Sequence, residues 1–161
     1  MKKSKQLSQR CRILVFLTHQ IALPILKITR KAKPFPYSLE ALQSMPIGTV
    51  GRDLIDYAEE KDITILSHYA RHDMKHLLLG YDTSEEGEIC MQCFMFGNGR
   101  ISFPVLITVA FGLVFTPEYW QMMRLAYQMG KDCNPIYTWD WMQLLTLETE
   151  FVKSQIFKLR Q

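Results

Sequence analysis

Several features are missing from this sequence, and each absence removes a class of protein. Nowhere in the 161 residues is there an unbroken apolar run of the ~20 residues that a helix needs to cross a bilayer. Ile13 to Ile28 is interrupted by His19, Gln20, Pro24 and Lys27, and the shorter run Ile101 to Phe115 carries Pro104 near its start. The second run therefore reads as a buried helix or a groove for a lipid tail. The first carries no small-residue cleavage site, so no secretory signal is expected and the expected location is cytoplasmic. Low-complexity tracts and internal repeats are missing too, which removes disordered and solenoid classes.

Cysteine is sparse: Cys11, Cys90, Cys93 and Cys133 are the four. Without a secretory signal they are expected as free thiols in a reducing compartment. Cys90-x-x-Cys93 has the spacing of a redox or zinc pair. No second pair and no βαβ pattern accompany it, so buried thiols are the expectation.

Acid is missing from the first 33 residues, which hold nine Lys or Arg, while the remainder holds ten of these against sixteen Asp or Glu. A head of +9 thus joins a body of −6. Residues 1–37 form a basic amphipathic segment, in which Ile13, Leu14, Phe16, Leu17, Ile21, Leu23, Ile25 and Leu26 interleave with the charges. Such a segment suits the surface of an anionic membrane, on its inner face, or a solvated surface helix. Nucleic acid is not an expected partner, because only Phe16, Phe35 and Tyr37 offer stacking rings.

What is present belongs to a globular protein, with 48% hydrophobic and 22% charged residues. Helical signals recur from residue 38 onward and alternating strand patterns do not. The predicted fold is all-α, a single-domain bundle of about six to eight helices over residues 38–161. Ser38 caps a short helix to Gln43, Gly48 to Glu60 reads helical, and Ile63 to Leu79 ends at Gly80. Thr83 with Glu86 forms a capping box for a helix to Phe96, closed by Gly97-Asn98-Gly99. Thr116-Pro117 opens a helix that stops near Gly130, and Thr138 caps the last region.

A conflict between charge and burial marks the third and fourth of these helices. With His72 at zero on a helical wheel, His76 falls near ~40° and Asp73 near ~100°, among Ile65, Leu66 and Tyr69. Three polar groups thus share an apolar face, while Arg71 and Lys75 fall toward the other side. On the next helix Glu88 shares its face with Gln92, Met95 and Phe96. An unpaired carboxylate in an apolar setting is costly, so it is paired, protonated or bound to metal. One divalent cation would resolve both helices, because His72 and His76 lie one turn apart and Glu88 returns after the turn that follows Gly80. Asp73 is placed either as a ligand or behind one. Mixed imidazole and carboxylate ligation favours zinc, with iron or manganese as alternatives. The plain alternative is a hydrogen-bonded core histidine beside an exposed one. Two other patterns fit less well: metal phosphohydrolases need a further upstream His, for which His68 is too near, and zinc proteases carry Glu where Asp73 stands.

The run from His72-Asp73-Met-Lys-His76 through Gly80 to Glu88, together with Pro46-Ile-Gly48-Thr-Val-Gly51-Arg52 upstream, resembles the signature of the coenzyme Q biosynthesis protein 4 family. The resemblance implies an all-helical fold, a metal held by His72, Asp73, His76 and Glu88, and a greasy pocket for a prenylated quinone precursor or another isoprenoid lipid. It also implies a place in ubiquinone biosynthesis, through oxidative removal of the ring carboxyl group at C1. The alternatives are a non-catalytic lipid-binding scaffold with a structural metal and, further off, a metal-dependent hydrolase. Expected partners are other quinone-biosynthesis proteins or a second copy of the chain. Expected pocket walls are Phe94, Met95, Phe103, Leu106, Ile107, Phe111, Phe115, Trp120, Met122 and Met123, an adaptable aromatic and Met-rich set. Plain core packing is the alternative for each. Arg52 and Arg124 could meet an anionic head group or form surface ion pairs.

Overall fold

The computed structural model describes residues 35–65 and 70–159. Residues 1–34, with most of the basic segment and Cys11, lie outside them, as do Leu66, His68 and Tyr69. Among the described residues there are seven α-helices and no strand, in agreement with the all-α reading. They are α1 Leu39–Gln43, α2 Val50–Lys61, α3 Ala70–Leu79, α4 Glu85–Gly97, α5 Phe103–Phe115, α6 Trp120–Asp132 and α7 Thr149–Ile156. Short 3-10 turns at Pro117–Tyr119, Ile136–Thr138 and Gln143–Thr146 join the later helices.

Local chemistry sets most of the boundaries. Ser38 caps α1 as expected, its hydroxyl accepting the Ala41 N–H. Thr49 does the same for α2 by accepting from Arg52. At the end of α2, Asp62 adopts a left-handed conformation with φ +55°, and the Ile63 N–H returns to the Ala58 carbonyl. Ile63 is thereby committed to closing α2, so residues 63–65 are not helical and the described part of α3 begins at Ala70, not at Ile63. Gly80, with φ +75°, ends α3 as its sequence position suggests.

Three expectations are corrected. The cap of α4 is Ser84, not Thr83: Asp82 accepts both the Ser84 N–H and its hydroxyl, and Ser84 Oγ is left to accept the Gly87 N–H. Thr138 caps no helix. It closes a 3-10 turn and donates to the Pro135 carbonyl, and α7 starts only at Thr149. The third correction concerns α5, read as a buried helix or a lipid-tail groove: the first of these does not hold, since only Val105, Thr108, Phe111 and Gly112 of its thirteen residues are buried.

The core is built around α4, buried on every side through Ile89, Cys90, Met91, Cys93, Phe94 and Met95. Glycines let α6 approach it closely: a Cβ on Gly130 would collide with the Phe94 carbonyl, and one on Gly97 with the Tyr127 carbonyl. Helix α5 crosses at Gly112, which sits against Ile89 and Met123. Helix α3 packs between α2, α4 and α7. It is buried on more than one face, and Lys75, placed toward the outer side by the wheel, is buried over the Trp141 ring instead. Backbone hydrogen bonds from Val50 to Leu147 and from Thr149 to Gly48 tie the start of α2 to the start of α7.

Candidate metal centre

Three side chains from α3 and α4 meet at one point. His72 and His76 stand one turn apart on α3, and their Nε2 atoms are 3.1 Å apart. Glu88, in the first turn of α4, places Oε2 3.2 Å from each of them. The turn from Gly80 to Ser84 reverses the chain and brings Glu88 back over the end of α3, as the sequence suggests. The His76 side chain is 2% exposed, Glu88 18% and His72 34%, so the triangle opens to solvent on the His72 side.

The lone pairs within this triangle decide what it can hold. His76 Nδ1 lies 3.0 Å from the Tyr81 carbonyl oxygen, which only accepts. The ring proton of neutral His76 therefore sits on Nδ1, and a bare Nε2 lone pair faces the other two ligand atoms. Glu88 Oε2 is an acceptor as well. Its second oxygen, Oε1, accepts from the Gln92 amide at 2.9 Å, one turn along α4. Lone pairs that converge at 3.1–3.2 Å need a proton, such as one on His72 Nε2, or a cation between them.

A metal ion fits this need. Ligand atoms in a tetrahedral zinc site lie ~2.0–2.1 Å from the ion, which separates them from one another by ~3.3 Å. The observed edges approach that value. His72, His76 and Glu88 could thus hold a metal ion between them. These three are the group of potential ligands found among the described residues. Asp73 stands outside it. Burial raises the Asp73 pKa, while the charges of His72 and His76 oppose that rise, so it lies in the field of the site without joining the triangle.

The expected lipid-contacting residues divide. Phe94, Met95, Phe111 and Met123 are buried in the core, Ile107 is half-buried, and Phe103, Leu106, Phe115, Trp120 and Met122 are exposed. A cleft of about 260 Å³ lies between α2, α3 and α7, but Asp53, Asp56, Tyr57, Glu60, Leu77, Thr149, Glu150 and Lys153 line it, and none of the expected lipid residues does. Arg52 pairs with Asp56 and donates to the Gln43 carbonyl, and Arg124 is exposed. Burial pushes the thiols of Cys90 and Cys93 up to about 11 and about 12, as expected for buried thiols.

Two supporting roles were not read from the sequence. Gln92 shares the Glu88 face four residues on, a spacing that signals a hydrogen bond once Glu88 is taken as a ligand. The Tyr81 carbonyl leaves no trace in side-chain pattern at all.

No family model matches the chain, and no curated protein matches it. Among solved structures, it is similar to a crystal structure of a protein from Nostoc punctiforme PCC 73102, provisionally designated a ubiquinone biosynthesis protein. The two are 22% identical, with a TM-score of 0.60, over 92% of this chain and 81% of that chain. The likeness shows a common fold.

Proposed function

We propose that this is a metal-binding, prenyl-lipid-handling protein of ubiquinone or related quinone biosynthesis. The observation that carries the reading is the His72, His76 and Glu88 triangle with its edges of 3.1–3.2 Å. The fold shared with a protein designated for ubiquinone biosynthesis, and the resemblance of the His72 to Glu88 run to a quinone-biosynthesis signature, support the pathway.

Zinc is the ion this donor set favours. A bound ion would supply Lewis acidity at its open position. His72 stands at the solvent side, where a carboxylate or phenol oxygen of an aromatic head could enter. Tyr81, through its carbonyl, holds the His76 ring in register, and Gln92 does the same for Glu88. Asp73, half-buried in the field of His72, His76 and Glu88, would orient the head, or a water bound to it, from outside the ligand set.

The test is metal analysis of protein purified without chelator, combined with mass spectrometry of the lipids extracted from it. One equivalent of zinc and a polyprenylated aromatic acid or alcohol are expected. Protein that retains neither, and takes up no zinc on titration, overturns the reading.

A further inference from the structure

Helix α5 carries no charged residue, and its single polar side chain, Thr108, is buried. Phe103, Leu106, Ala110, Leu113 and Val114 recur at helical spacing along one side, and all are exposed, Leu113 at 52% and Val114 at 68%. The opposite side, with Phe111 and Gly112, is the one that packs on α4. Apolar composition in a helix is ordinarily explained by burial in the core, and here that explanation fails. Helix α6 repeats the pattern with exposed Met122, Leu125 and Met129 beside Gln121, Arg124 and Gln128.

The dimensions say what kind of partner this surface suits. No single described helix is long and apolar enough to cross a membrane, but α5 and the following segment through α6 pass that test together while bending by 104°. A helix of thirteen residues extends ~20 Å, short of the ~30 Å hydrocarbon layer, so such an elbow can lie in the plane of a bilayer interface without spanning it. Trp120 sits at the elbow, half-exposed, with its indole N–H donating to the Leu113 carbonyl. An amphipathic ring of this kind favours the level of lipid head groups. Within α5, α6 and the turn between them the charges balance, Glu118 and Asp132 against Arg124 and Lys131, while the head of the chain adds nine basic residues and no acid. An apolar face combined with a polybasic segment supplies the two signals that stable attachment to an anionic membrane requires.

We infer that the exposed hydrocarbon faces of α5 and α6 dock the protein onto an anionic phospholipid bilayer. This inference is independent of the metal site. The full-length protein is mixed with vesicles of phosphatidylcholine and phosphatidylglycerol, and binding is followed by sedimentation. The double substitution Leu113→Lys with Val114→Lys removes the apolar contact while adding charge that attracts the vesicle. Wild type is expected to sediment with the vesicles, and the variant to bind about tenfold more weakly despite its added charge, with zinc uptake and helical content unchanged. Wild type that stays in solution overturns the inference, and so does a variant that binds as tightly or more tightly, which would assign attachment to the basic segment alone. A variant whose particle mass halves without vesicles present also overturns it, because the face then belongs to a second copy of the chain.

Discussion

At His76 the hydrogen bonds fix where each proton sits. With Nδ1 facing the Tyr81 carbonyl, the Nε2 lone pair must be met by a proton or by a metal. In the metal-free protein burial works against charge on this ring, but the hydrogen bond and charge of Glu88 outweigh it, and the His76 pKa rises above its ordinary 6.5. Burial likewise works to raise Glu88, but His72 and His76 outweigh it and hold the carboxyl well below its ordinary 4.5. A raised imidazole pKa gives stability that is lost as pH rises through it, and a depressed carboxyl pKa gives stability lost as pH falls through it. The metal-free cluster therefore contributes most between those two ordinary values, and thermal melts in chelator across pH should show its contribution fading on either side. Zinc competes with the His76 proton, so the opposite trend holds for affinity: titrations should show zinc binding strengthening as pH rises through the raised His76 value. His76→Ala is expected to lower zinc affinity about 100-fold or more, and Gln92→Leu, which only frees Glu88 Oε1, about tenfold. Calorimetric titration of both variants checks this ranking, and equal losses would remove the distinction between ligand and support.

The helix ends were legible where one residue decides them. Ser38, Gly80 and the Gly97-Asn98-Gly99 stop perform the roles their residue types suggest, whereas the cap of α4 moved by one residue because Asp82 engages Ser84. Ser84→Ala should cost about 1 kcal/mol in urea unfolding, since the Gly87 N–H loses its acceptor. The contact between α4 and α6 is more demanding. A methyl group on Gly130 must displace the Phe94 backbone, which cannot yield as a flexible side chain would. Gly130→Ala is therefore expected to destabilise the protein by about 3 kcal/mol, measured by the same unfolding curves. No sequence pattern announced that Gly130 and Gly97 serve this crossing, because a glycine late in a helix reads equally well as a stop signal.

Across the whole molecule, the bound ion would join the end of α3 to the start of α4, and its free energy would add to that of folding. At a free zinc concentration one hundred times Kd, the folded state gains ~2.7 kcal/mol. For a chain of 161 residues, that is a fall in Tm of about 5–10 °C when a chelator removes the ion. Scanning calorimetry with and without chelator measures it, and His76→Ala should show no difference between the two conditions. The exposed side of α5 belongs to the same scale, since whether an apolar helix is core or surface depends on what packs against it. Run length and composition are the same in both cases.

The amino-acid order alone determined the helical class, the main caps and stops, and the convergence of His72, His76 and Glu88, because 3.6-residue periodicity and short turns are local rules. Tertiary packing decided the rest. It set Asp73 outside the ligand triangle, buried Lys75 against Trp141, and left one side of α5 exposed among the described residues. Each of these outcomes depends on which distant segment arrives beside a given face, and a helical wheel holds no information about its neighbours.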